Sequence, residues 1–119
     1  MTVTARLSTA ARLRQVRNLL EDPESWSPWE AQDAHGYPCE PNSKKAVRWS
    51  LAAALRLVEP NSGPAWAAVR KAVARRYGGE PDDESLPWRF GGLARHAEIL
   101  TVLDAAIEAA VARAEQPHP

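Results

Sequence analysis

The stretch "NSKKAVRWSLAAALRLVEP", residues 42–60, carries the reading of the fold. Asn42 or Ser43 is a good N-cap residue, and from about Lys44 to Val58 apolar residues recur at helical spacing. Val47, Leu51, Ala54, Leu55 and Val58 share one face, with Ala46, Ser50, Ala53 and Leu57 beside it. So many small residues let neighbouring helices approach closely, so this segment is expected to be the central helix of an all-α domain. Pro60 ends it, because proline removes a backbone donor and clashes with the preceding turn.

Working outward, three more helices are expected. "STAARLRQVRNLLED" reads as a helix from Ser8 to Glu21, with Leu13, Val16, Leu19 and Leu20 on its apolar side and Asp22-Pro23 as its stop. Ser62 and Pro64 open another, which carries Trp66, Val69, Val73 and Tyr77 and ends at Gly78-Gly79. The last runs from near Leu93 to Ala114 along a broad stripe that includes Ile99, Leu103, Ala106 and Ile107. The prediction is thus a single domain over 1–119 with four main helices and a core at about 8–114; the tail, 115–119, is expected to fray.

Two connections stay irregular in this reading. "EPDDESLPWRFGG", before the last helix, joins an acidic run to Trp88 and Phe90. From Pro23 to Asn42 prolines recur, and "WEAQDA" and "YPCEP", separated by His35-Gly36, are compatible with a small β-hairpin or ribbon-like loop. Pro38 and Pro41 would confine it to a minor edge feature. Within this segment, "ESWSPWEAQDAHGYPC" is expected to fold back over the helices and bury Trp26 or Trp29 against Trp88 or Trp49.

Composition limits the function classes. The chain has 119 residues, 45% apolar and 25% charged, with 15 basic and 15 acidic side chains and no formal net charge. That balance gives no overall pull towards nucleic acid or an anionic membrane. The link between the second and third helices contains two prolines, which disfavours a helix-turn-helix. A lone cysteine forms no internal disulfide, and no continuous apolar run marks a leader or a membrane span, so a cytoplasmic protein is expected.

The chemistry-bearing residues form no standard constellation. His35 and Cys39 are four apart, too little on its own for a thiol nucleophile, which also needs an orienting third group. Asp33, His35, Cys39 and Glu40 match no zinc or calcium spacing, so neither metal nor cofactor is expected. "RFGGLAR" lacks the lysine and spacing of a phosphate loop and has no preceding strand; its glycines are expected to let the last helix dock closely.

What stands out is aromatic. Trp26, Trp29, His35 and Tyr37 come from one connection, and Trp88, Arg89, Phe90 and His96 from the other or its edge. Should the two connections meet, these eight residues would line a cap or a binding groove, since exposed tryptophan and arginine are typical of contact surfaces.

In order, "NLLED", "AQDAHGYPCEP", "AVRWSLAAALRLV" and "LPWRFGGLARHAEILTVLDAAIEAA" resemble a family of small bacterial and phage proteins of unknown function. That family's pattern has an R-W-C-x-x-G-A helix and a W-N-D segment before a closing helix. The likeness spans roughly residues 10–112 and rests on Asp33, Gly36, Val47, Arg48, Trp49, Ala54 and Trp88. Ser50 stands where the pattern has cysteine, Ala53 where it has glycine, and Arg89-Phe90 where it has asparagine-aspartate. The resemblance implies the helical order and no particular activity.

The function expected from these observations is non-enzymatic: a binding or accessory protein, of phage or mobile-element type, contacting another protein or itself. The alternative is a small-ligand protein or hydrolase-like enzyme with Trp29, His35, Arg89 and His96 lining a site between the two connections.

Overall fold

The structure, a computed structural model, describes residues 8–115; the expected fraying tail lies almost wholly outside them. The chain is all-α, with five helices rather than four and no strand among the described residues. They are α1 (Thr9–Leu20), α2 (Leu51–Val58), α3 (Pro64–Tyr77), α4 (Leu86–Leu93) and α5 (His96–Glu115), with a single 3-10 turn at Pro23–Ser25. Among these helices none is long and apolar enough to cross a membrane.

One core joins all five. Leu13, Val16 and Leu20 of α1 meet Leu51 and Leu55 of α2, Val69 and Val73 of α3, Leu86 of α4, and Ile99, Val102, Leu103 and Ala106 of α5. Helix α5 lies chiefly against α1 and α3, while α4 bridges α2 and α3. The apolar periodicity seen in the sequence is largely the buried face of the long helices, except that Tyr77 at the end of α3 is exposed.

The stretch that sets the fold is helical only in its second half. Residues 44–50 are not helix, and Val47 is exposed. Ser50, placed inside the helix by the sequence reading, is instead the N-cap of α2, its hydroxyl accepting from the Ala53 amide at 3.1 Å. The competing force is the need of the irregular segment before it for backbone partners. Val47 and Arg48 amides donate to the Gln32 carbonyl, Gln32 donates to Arg48, Trp49 donates to Ser25, and Ser27 donates to Trp49. A helix through 44–50 would leave those groups on 25–32 unpaired.

The β-hairpin is absent. Three isolated bridges stand in its place, Trp26 with Trp49, Gln32 with Pro38 and Gln32 with Arg48. A tight turn at Asp33–Gly36, closed by the Gly36 amide on the Asp33 carbonyl and using a positive φ at Gly36, reverses the chain. Pro38 lacks the donor that would extend the pairing.

The second connection holds the other correction. "LPWRFGGL" is helix α4 despite its proline and two glycines. Pro87 lies in the first turn, where no donor is needed. Glycines inside a helix cost about 1 kcal/mol each relative to alanine, and here close approach compensates. A Cβ on Gly91 would lie 3.0 Å from the Leu51 Cβ, and one on Gly92 would overlap the six-membered ring of Trp29. The glycines therefore dock a short helix, α4, onto α2 and the loop, whereas the sequence reading makes them a turn that lets the last helix dock closely.

Helix α3 begins without a side-chain cap from its own N-cap residue, Gly63. Its amides are met by Glu59, a buried carboxylate at the end of α2. The Ala65 and Trp66 amides donate to Glu59 at 3.1 and 3.2 Å, and Arg12 of α1 donates to it at 3.2 Å. One carboxylate so ties three helices at the positive end of the α3 dipole.

Candidate functional site

The eight aromatic, basic and histidine residues singled out in the sequence separate into five places. Trp26 and His96 form one pair, with ring centroids 5.6 Å apart. His96 Nε2 lies 2.6 Å from the Leu20 carbonyl, so the imidazole closes the C-terminal end of α1 where backbone acceptors lack helical partners. Trp26 is half-buried against the core, and its indole N–H has no hydrogen-bond partner among the described residues.

His35 and Tyr37 sit on the exposed Asp33–Gly36 turn, ring centroids 6.3 Å apart. Phe90 packs on Tyr77 of α3 at 5.0 Å. Arg89, on the outer side of α4, donates to Asp83 and to the Ser85 hydroxyl. These residues are occupied by local structure.

Trp29 and Trp88 are different. Their rings meet at 5.1 Å with a 57° tilt, yet Trp29 remains 44% and Trp88 48% exposed. The loop supplies one ring and α4 the other, and Gly92 gives Trp29 the room to lie against α4. Beside them opens a cleft of about 430 Å³. Ala52 and Ala53 of α2 and Trp66 of α3 line it, with Cys39 and Pro41 from the loop. Glu30, Arg56 and Glu84 add charge to its walls. Of the eight sequence candidates, only Trp29 and Trp88 line this cleft. Cys39, weighed in the sequence only as a nucleophile or metal ligand, also lines it. The remaining lining residues gave no sign of a shared site, because α2, α3 and the loop converge there only in three dimensions.

Electrostatics at the cleft and its neighbouring turns favour structure over acid–base chemistry. Desolvation pushes the Cys39 thiol up, and the carboxylates of Asp33, Glu40 and Glu30 push it further. The neutral thiol is a weak nucleophile. Asp33 is held below the ordinary carboxylate value by the Tyr37 and His35 amides that donate to it at 3.0 and 2.9 Å. Asp83 is lowered likewise by the Ser85 hydroxyl and amide, at 2.7 and 2.9 Å, and by Arg89. Both carboxylates fasten turns. Among the described residues no group of three or more His, Cys, Asp and Glu side chains is placed to hold a metal ion.

Compared with known proteins, the chain matches no family model, no curated protein and no solved structure.

Proposed function

We propose that this protein is a small non-enzymatic binding or accessory protein that works through protein–protein contacts, with the Trp29–Trp88 cleft as its contact surface. The carrying observation is the exposed tryptophan pair, buttressed from beneath by Gly92 and α4. Two large rings exposed side by side are costly to leave uncovered and supply contact area with few rotatable bonds to fix when a partner covers them. Arg56, Glu30 and Glu84 around the cleft supply the polar rim that contact surfaces commonly have.

The likeness to small bacterial and phage proteins supports a phage or mobile-element origin, and the single free cysteine suits a reducing cytoplasm. The small-ligand or hydrolase-like reading draws on the cleft volume, which falls in the range of ligand pockets, about 300–1,000 Å³. The lining first considered for it is dispersed: His96 is engaged with α1, His35 is on the outer turn, and Arg89 is paired with Asp83. Protein contact is therefore the reading we adopt.

Native mass spectrometry of the protein purified from its own host tests it. Expected is a stoichiometric protein partner that Trp88→Ala releases while the melting temperature is kept. A stoichiometric small molecule that Trp88→Ala releases would overturn the reading.

A further inference from the structure

A second surface, sharing no residue with the tryptophan cleft, lies between α3 and α5. There a groove of about 400 Å³ has a floor of Ala68 and Ala72 from α3 and Ala105, Ala109 and Ala110 from α5. Its rim carries Lys71, Arg75, Arg76 and Arg113, all exposed. Elsewhere in the molecule Arg12, Arg17, Arg70 and Arg89 are spent on ion pairs with Glu59, Asp104, Glu84 and Asp83. Among the described residues the four rim cations have no such carboxylate. In a chain with no net charge, four cations without an ion-pair partner among the described residues thus ring one apolar floor.

We infer that this groove binds an acidic amphipathic helix of a partner protein. Charge complementarity sets the acidic flanks, and the alanine floor sets the apolar face. The floor runs from Ala68 to Arg76 on one side and Ala105 to Arg113 on the other, eight helical steps or about 12 Å. Apolar side chains at i, i+4 and i+7 of a docked helix span about 10.5 Å at the same rise, so two turns of partner fill the groove. The remaining ligand chemistries fit less well. A phosphodiester backbone uses the cations but gains nothing from five alanines. A small amphiphile needs most of its surface enclosed, whereas Ala109 is exposed and the other four alanines are only half-buried.

The test uses the full chain and a fluorescent peptide with Leu at i, i+4 and i+7 and Glu on both flanks. Its controls are a scrambled peptide of the same composition and a 20-base-pair DNA duplex. Anisotropy titrations at two salt concentrations should show the patterned peptide binding at least about tenfold more tightly than the scrambled one. Arg75→Glu with Arg76→Glu should abolish that binding. Ala109→Phe, which fills the floor without changing charge, should weaken the patterned peptide about tenfold and leave the scrambled one unchanged. Circular dichroism of each variant confirms that it is folded, so a lost signal reports the groove. Equal binding of both peptides, tighter binding of the duplex, or indifference to Ala109→Phe would each overturn the inference.

Discussion

At the scale of single residues, Gly91 and Gly92 are adjacent and conventional-looking yet do different work. Gly91 faces the Leu51 Cβ in the core, where nothing can yield without moving a helix. Gly92 faces the outer edge of the Trp29 indole, which can swing towards solvent. Alanine at either position gains about 1 kcal/mol of helix propensity. Overpacking should outweigh that gain at Gly91, so Gly91→Ala is expected to destabilise the domain by about 1–2 kcal/mol net in urea denaturation. Gly92→Ala should leave the midpoint nearly unchanged but separate Trp29 from Trp88, visible as a red shift in tryptophan emission. Glu59 is the other decisive residue. Its side chain is only 5% exposed and serves two amides and Arg12. Glu59→Ala strands all three donors and should cost about 2–4 kcal/mol. Glu59→Gln keeps an acceptor at the helix end and should cost less than half of that. In the sequence, Glu59-Pro60 reads only as a helix stop, because what Glu59 contacts lies on two other helices.

At the scale of elements, the cap of α2 and the turns that flank the cleft are directly testable. Ser50→Ala removes the side-chain acceptor of the Ala53 amide and should cost about 1 kcal/mol. If α2 instead began near Lys44, Ser50 would be an interior residue and alanine would be neutral or slightly stabilising, so a denaturation curve distinguishes the two helix boundaries. Asp33 and Asp83 predict an acid limb. Each is held below the ordinary value of 3.8 in the folded chain, Asp33 first by the Tyr37 amide and Asp83 first by the Ser85 hydroxyl. The unfolded chain then takes up protons before the folded one as pH falls. Their contribution to stability is therefore complete above the ordinary value and is lost as pH drops through the lowered folded values. Melting temperature should be insensitive to these two groups from neutrality to about pH 5 and should fall below about pH 4. Asp33→Asn with Asp83→Asn should flatten that limb; an unchanged acid limb in the double variant would remove these turns from the account.

At the scale of the molecule, the five tryptophans divide between core and surface, and substitution should expose the division. Trp66 is buried, Trp26 and Trp49 are partly buried, and Trp29 and Trp88 are nearly half-exposed. Trp26→Ala should cost about 3 kcal/mol, while Trp26→Phe should cost much less, since it keeps most of the apolar contact and removes an indole N–H that finds no partner. Trp88→Ala should melt close to the parent. The sequence reading has the 24–39 segment bury Trp26 or Trp29 against Trp88 or Trp49. Trp26 is instead partly buried on the core with its ring against His96, and Trp29 meets Trp88 but stays at the surface. Sequence by itself determined the all-α class, the three long helices α1, α3 and α5, and most of the buried face, because helical periodicity and proline or glycine stops are local properties. Tertiary structure decided where α2 starts, that "LPWRFGGL" is helical, and which aromatics face solvent. Residues 47–49 give up helix to satisfy the backbone of 25–32, and two glycines are helical because α2 and Trp29 press against them. Those forces act between segments far apart in the chain, and no window of sequence contains both partners.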